Sequence, residues 1–158
     1  MPTVTPAGPP STVTNGDPLS FLDDLTAAQA APTPHDDVEV LVNGHVHVLR
    51  FFRLDGYDWS CEVDRHPIRP GVRIDMTYGF NFRTLTKAVA PRCGVRLDGD
   101  TEVPLTAEEW AALFAPKVLS GRYFGHITDA LFRLNIVQPQ QELEAAKKAL
   151  ASSAPSSD

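Results

Sequence analysis

The chain has 158 residues, 42% of them hydrophobic, and a formal net charge of −6, which fits one modest domain with tails. The acidic balance disfavours nonspecific nucleic-acid binding, because that binding depends on a basic surface. No apolar run approaches the roughly 20 residues of a membrane span, and the N-terminus lacks the features of a secretion signal, so we expect no membrane association and a cytosolic location.

Residues 1–36 contain half of the 14 prolines and have four Asp but no Lys or Arg. This composition predicts a disordered acidic arm, because it offers too little apolar surface to offset chain entropy. Within it, "DPLSFLDDLTAA" predicts a short helix with Asp17 as the N-cap and Pro18 at the first position. The apolar face of this helix is either idle or a partner-binding surface, and its candidate contact residues are Leu19, Leu22 and Leu25.

Residues 37–138 are predicted to form the folded domain. Apolar and polar residues alternate from Val38 to Phe52 on either side of Asn43–Gly44, which predicts a β-hairpin with a two-residue turn. A hairpin alone is unstable, so we expect it to pack against helices. The segment "RLDGDTEV" is either a loop or a second small hairpin.

Helical signals fill the rest of the domain. One helix is predicted to end before Pro67, and a second carries Phe82, Leu85 and Val89 at helical spacing. Thr106 and Glu109 form a capping box, with Leu105 and Trp110 spaced for a hydrophobic staple. The side chains that we expect in the core include Trp59, Trp110, Phe114 and Leu131.

The C-terminal third predicts a break at Pro116, a helix capped by Ser120, and a last helix within residues 139–158 that ends in a flexible tail. Tyr123, Ile127 and Leu131 belong to one apolar stripe, for which we favour the core over a partner-binding surface. The last helix places two further candidate contact residues, Leu143 and Leu150, on one side.

No residue pattern indicates catalysis, a cofactor or a metal site, so we interpret the protein as a non-enzyme. Cys61 and His66 lie five residues apart on the predicted helix, where their side chains point in different directions, and acidic neighbours disfavour a thiolate. Neither Cys61, His66 and Cys93 nor the pair His45 and His47 has the spacing of a zinc module. The two cysteines fit a reduced pair better than a disulfide framework.

Residues 65–96 hold seven Lys or Arg and one Asp, and acidic segments lie on both sides. The simplest interpretation is ion pairing within the fold. The alternative is a basic face that holds an acidic partner protein or phosphates.

Five short motifs follow one another along the chain: Asp58–Trp59, "HPIRPG" from His66, "YGFNF" from Tyr78, "VPLTAEEWAALF" from Val103, and "ALFRLN" from Ala130. Their order resembles the tail assembly chaperones of long-tailed, siphovirus-type actinobacterial phages over roughly residues 55–136. Ile68 stands where that family usually has a second proline, and "GFN" where "GYN" is common.

The resemblance implies a small, mostly helical, non-catalytic protein. It would bind the tape-measure protein in the host cytoplasm, assist assembly of the tail tube, contact tail-tube subunits, and be absent from the finished virion. It also implies a longer form made by a programmed frameshift, for which Lys147–Lys148 marks a candidate slippery site. The alternative is a structural virion protein, either a head–tail connector or a minor tail component, and homo-oligomerisation remains open.

We therefore expect a mainly α (α+β) fold, in which a small helical domain carries an N-terminal β-hairpin between disordered tails. In this interpretation three segments offer contact surface: the Leu19–Leu25 helix, the exposed part of the stripe that contains Tyr123 and Ile127, and the helix with Leu143 and Leu150.

Overall fold

The structure, a computed structural model, describes residues 18–155 and confirms the α+β fold. The chain divides into two compact units, residues 1–32 and 33–158. In the described part of the first unit, Pro18–Ala30 forms helix α1, as predicted. The predicted cap Asp17 and most of the predicted disordered arm lie outside the described residues, as does the tail after residue 155. The predicted arm, residues 1–36, extends too far, because the first strand already begins at His35.

The second unit contains a four-stranded antiparallel sheet in the order β1-β2-β3-β4. Strands β1 (His35–Val42) and β2 (His45–Phe52) form the predicted hairpin. Its turn residues Asn43 and Gly44 have φ angles of 50° and 76°, the left-handed conformation that such a turn requires. Strands β3 (Gly94–Asp98) and β4 (Thr101–Val103) form a second hairpin that pairs with β2 and makes the sheet larger than predicted.

Six helices and one π-helical turn complete the described part of this unit. Helices α2 (Gly56–Arg65), α3 (Arg73–Tyr78) and α4 (Phe82–Cys93) lie between the two hairpins. Helices α5 (Ala107–Leu113) and α6 (Gly121–Phe132) follow, then the π-helical turn Arg133–Val137 and α7 (Gln138–Ser153).

Side-chain caps determine where several helices begin. The Thr106 hydroxyl accepts a hydrogen bond from the Glu109 amide, and the Glu109 carboxylate accepts one from the Thr106 amide, so the predicted capping box is confirmed. Ser120 caps α6 as predicted, while Asp55 and Asn81 cap α2 and α4. Since the caps satisfy amides that lack a partner within the helix, these starts are determined locally.

Helix α4 continues through Pro91 to Cys93, because a proline in the last turn removes only one helical hydrogen bond. One predicted boundary was wrong. The final helix is not separate from α6: backbone dihedrals stay helical at Arg133, Val137 and Gln138, so the π-helical turn joins α6 to α7. The predicted break near Pro116 is confirmed, since α5 ends at Leu113.

The core lies between one face of the sheet and the helices, chiefly α4 and α6. Val38, Val40, Leu49 and Phe51 point inward from β1 and β2. Trp59, Trp110 and Leu131 are buried as predicted, whereas Phe114 is only half-buried. Phe114 lies just past the end of α5 and stacks on Trp110, with 6.0 Å between ring centroids, so it covers the rim of the core.

Candidate interaction surfaces

Helix α7 is the most exposed element of the second unit. None of its 16 residues is buried, and from Gln140 to Ser153 every one is exposed. Leu143, Ala146 and Leu150 recur at intervals of three and four and therefore share one side, which we call the α7 stripe. The two leucines are 50% and 56% exposed. The predicted contact residues Leu143 and Leu150 are thus accessible on a helix whose apolar side faces solvent.

The base of α7 is held by Arg53, in the connection after β2. Its guanidinium donates to both carboxylate oxygens of Glu142, at 2.8 and 3.3 Å, and its Nε donates to the Leu134 carbonyl at 2.7 Å. That carbonyl lies in the π-helical turn, five residues before Pro139, which has no amide hydrogen to donate. Arg53 therefore satisfies an acceptor that the proline leaves free, and it orients α7 through the same side chain.

Asn135 secures the same junction from the other side. Its side-chain oxygen accepts from the Leu54 amide at 3.0 Å, and its side-chain nitrogen donates to the Leu131 carbonyl at 2.9 Å. The last residue of the "ALFRLN" motif thus connects the π-helical turn to the segment that leads into α2. The sequence pattern marked this asparagine but not its hydrogen bond to Leu54, which is 81 positions away.

The side of the sheet that faces away from the core is unusually apolar, and we call it the outer sheet face. In a sheet with one solvated face, polar residues normally occupy that face. Here Leu41 pairs with Val46, and Val48 pairs with Leu97. Leu41 is 42% exposed and Val46 is 65% exposed. Its apolar members are Leu41, Val46, Val48, Val95 and Leu97.

Charged groups border this apolar centre. Arg50 donates to Asp37 at 2.8 Å and to Glu102 at 3.2 Å, so it joins β1 to β4 across the outer sheet face. The Arg50 guanidinium holds the pKa of Asp37 below its usual range. Glu39 is exposed and forms no ion pair with any residue from 18 to 155. Glu39 is therefore a carboxylate at this border without an ion pair among the described residues, and the adjoining groove also contains Arg122, His126 and Arg133 of α6.

An open groove of about 890 Å³ is lined by β1, by Val46, Val48 and Leu97 of the outer sheet face, and by the exposed side of α6. Tyr123, one of the predicted contact residues, is half-buried and lines this groove. Ile127, predicted with it, is fully buried in the core and is inaccessible in this conformation. The difference follows from the helical period, because the Ile127 side of α6 packs against the inner face of the sheet.

The remaining predicted contact residues belong to α1. Leu22 and Leu25 are 61% and 46% exposed, so the apolar face of that helix is accessible. Leu19 lies in the same helix, but its side chain is outside the described part of the structure.

The cluster around Cys61 and His66 is organised by Glu62, not by the cysteine. Glu62 is 5% exposed, and one of its carboxylate oxygens accepts from both Arg65 and Arg92 at 2.7 Å. The imidazole of His66 lies 3.5 Å from the other oxygen and pairs with the Thr84 hydroxyl at 2.9 Å. Buried carboxylates need such partners, and this one ties α2 to α4.

A second buried carboxylate supports the loop before α3. Asp75 is fully buried and accepts hydrogen bonds from the Arg69 guanidinium at 2.8 and 2.9 Å, and from the amides of Arg69 and Phe82. These donors hold the pKa of Asp75 well below its usual range. The basic segment is therefore partly used for internal ion pairing, through Arg65, Arg69 and Arg92.

The two cysteines form no disulfide. Both cysteines are free; Cys93 is buried, and burial raises the pKa of its thiol to about 12, whereas Cys61 is half-buried. Among residues 18–155, no group of three or more His, Cys, Asp and Glu side chains is arranged to hold a metal ion. Over the same residues, no helix has the length and apolar character needed to cross a bilayer.

Comparison with known proteins gave no match: no family model, no curated protein and no solved structure is significantly similar to this chain.

Proposed function

We propose that this protein is a non-catalytic tail assembly chaperone of a long-tailed actinobacterial phage. In this proposal it binds the tape-measure protein in the host cytoplasm, keeps it soluble and helps tail-tube subunits assemble around it. The motif resemblance over residues 55–136 supplies the family. The observation that carries the binding role is α7, a 16-residue helix with an accessible apolar stripe.

The motifs that support the resemblance lie where elements of the fold pack against or connect to one another. Trp59 packs edge-on against Phe80, with 5.6 Å between ring centroids, and Tyr78 stacks on Phe80 at 5.7 Å. Trp110 follows the capping box, and Asn135 bridges the π-helical turn to Leu54. Because these motif residues make contacts within the domain, we expect the partner-binding residues to lie on surfaces outside the motifs.

An assembly chaperone needs apolar surface that is accessible yet limited in area, so that it binds a client without aggregating. The α7 stripe meets this need, because its two half-exposed leucines are the only large apolar side chains of this helix. A helical client would pack against such a stripe through its own apolar positions at the same spacing. Two or three apolar anchors give modest affinity, which permits release as the tail is completed.

Co-expression with the phage's tape-measure protein tests the proposal. We expect the wild-type chain to raise the soluble fraction of the tape-measure protein and to co-purify with it, and Leu143→Ser/Leu150→Ser to reduce both. Met76→Ser is the matched control, because Met76 is 66% exposed on α3, far from α7 in sequence. No rise in solubility and no co-purification with the wild-type chain would contradict the proposal.

Mass spectrometry of purified virions separates this role from that of a structural virion protein. A chaperone is absent from finished particles, whereas a head–tail connector or minor tail component is present in stoichiometric amount. Cys61→Ser provides a further check, since a non-catalytic chaperone retains its client-solubilising effect without this thiol. The proposed frameshift form is tested by finding a longer product that contains the residues preceding Lys147–Lys148.

A further inference from the structure

Two apolar surfaces of the second unit are accessible to solvent: the α7 stripe and the outer sheet face. Leu143 and Leu150 are 50% and 56% exposed on the first, and Val46 is 65% exposed on the second. Sheets and helices normally bury their apolar sides against another element of secondary structure. A helix with an apolar stripe and a sheet with an apolar face can bury these surfaces by packing against each other.

Their dimensions agree. The 16 residues of α7 extend about 24 Å at the rise of an α-helix. The eight-residue strands β1 and β2 extend about 26 Å. The α7 stripe itself, from Leu143 to Leu150, extends about 10 Å along the helix, so a helix lying along the hairpin can place it over the short patch formed by Leu41, Val46 and Val48.

One charge pair is also complementary. Glu39, at the border of the outer sheet face, has no ion-pair partner among residues 18–155. On α7, Lys147 lies beside the apolar stripe and has only a loose, solvent-exposed contact of 3.9 Å with Glu144. Glu142, the acidic residue on the other side of the stripe, is already paired with Arg53. The stripe therefore brings a positive charge that can pair with Glu39.

The two surfaces do not meet within one molecule. Helix α6 packs on the inner face of the sheet, and α7 continues from α6 through the π-helical turn. Arg53 fixes this direction by binding the Leu134 carbonyl and Glu142 together. Contact between the two surfaces thus requires α7 from another copy.

We propose that α7 of one copy packs on the outer sheet face of a second copy, with Lys147 beside Glu39. Antiparallel edge-to-edge pairing of two β1 strands in the register centred on Val38 is disfavoured, because it places Asp37 opposite Glu39. The helix-on-sheet contact avoids this repulsion. A client helix that binds the α7 stripe competes with this contact between copies. The self-association itself does not depend on which client the protein binds.

Sedimentation velocity of the full chain across a concentration series tests the contact. We expect concentration-dependent association, weakened at least about tenfold by Val46→Ser and by Leu143→Ser, because each removes a central apolar anchor. Met76→Ser, which has the same exposure as Val46 on a different surface, leaves the association unchanged. Circular dichroism confirms that each variant is folded.

A charge exchange identifies the register independently. We expect Glu39→Lys and Lys147→Glu each to weaken association, and the double variant to recover it, because the pair is restored with reversed sign. A chain that stays monomeric at all concentrations overturns the proposal. So does association that is insensitive to Val46 and Leu143, or equally sensitive to Met76, since another surface or another occupant is then responsible.

Discussion

Arg53 and Glu142, 89 positions apart in the chain, form a two-pronged ion pair with nitrogen–oxygen distances of 2.8 and 3.3 Å. The same guanidinium also reaches the Leu134 carbonyl in the π-helical turn. One side chain therefore satisfies the backbone at the junction and sets the direction of α7. π-Helical turns often occur at functional positions, and here the turn carries the helix that we assign to binding.

Replacing Arg53 tests this role. Arg53→Ala is expected to speed amide hydrogen exchange across Gln138–Ser153 and to lower the free energy of unfolding by about 1–2 kcal/mol, because a charged hydrogen bond to the Leu134 carbonyl is lost. Arg53→Lys keeps the charge but cannot bind two groups in a fork, so we expect an intermediate effect. Unchanged exchange in α7 for Arg53→Ala would show that the helix is oriented by other contacts.

Close packing at the start of β3 requires glycine at position 94. A Cβ atom there would lie 2.8 Å from the Phe51 ring, the Trp110 ring and the Ala90 carbonyl oxygen. Gly94→Ala is therefore expected to lower the free energy of unfolding by about 1–3 kcal/mol through overpacking, measured by urea denaturation.

Gly125 provides the matched control for this substitution. It lies within α6, and a Cβ atom at this position meets no atom within 4 Å. Gly125→Ala is expected to raise stability by up to about 1 kcal/mol, because alanine favours the helix over the unfolded chain. Equal effects of the two substitutions would contradict the packing argument.

The buried Asp75 should make stability dependent on pH in the acid range. Its folded-state pKa is held below the unfolded value of 3.8 by Arg69 and the two amides, so the folded state favours the ionised form. The resulting stability is present above pH 3.8 and is lost as the pH falls through the folded-state pKa.

Asp75→Asn removes that titration. We expect the gap in urea midpoint between wild type and Asp75→Asn to be large at pH 7 and to narrow toward pH 2. Arg69→Met should narrow the same gap by raising the pKa of Asp75. A gap in urea midpoint that stays constant from pH 7 to pH 2 would mean that Asp75 has the same pKa in the folded and unfolded states.

The two thiols should react at very different rates with a disulfide reagent under native conditions at pH 8. Cys61 is half-buried, whereas Cys93 is buried with a thiol pKa of about 12, so Cys93 is both inaccessible and protonated. We expect one fast thiol in the wild type and no fast thiol in Cys61→Ser. Cys93→Ser should retain the fast phase, and two equal phases in the wild type would disagree with the burial of Cys93.

The local signals in the sequence predicted the helix starts and the first hairpin well, because their causes lie within a few residues. The Thr106–Glu109 capping box and the Asn43–Gly44 turn are examples. The same reasoning missed the connection of α6 to α7, since it predicted the last helix as a separate element within residues 139–158. What keeps the helix continuous is a π-helical turn stabilised by Arg53, which is remote in sequence.

The predicted contact residues also separate what local spacing predicts from what tertiary contacts determine. The spacing of Tyr123, Ile127, Leu143 and Leu150 predicted their helical faces. The core that we favoured for the α6 stripe is confirmed for Ile127, whereas Tyr123 is only half-buried. Ile127 is buried because α6 happens to lie on the inner side of the sheet, and the leucines of α7 are exposed because that helix extends beyond it. The outer sheet face was not predicted, because it needs β2 and β3 side by side, and 41 residues lie between the end of β2 and the start of β3.

By itself, the sequence determined the fold class, the positions of the caps and turns, and which residues share a helical face. These depend on backbone preferences and hydrogen bonds between near neighbours, whose energies are local. Only the tertiary structure decided which carboxylates are buried, how α7 is held, and which apolar faces remain open to solvent. Those outcomes depend on contacts between residues tens of positions apart, where the fold and not the spacing determines what each side chain meets.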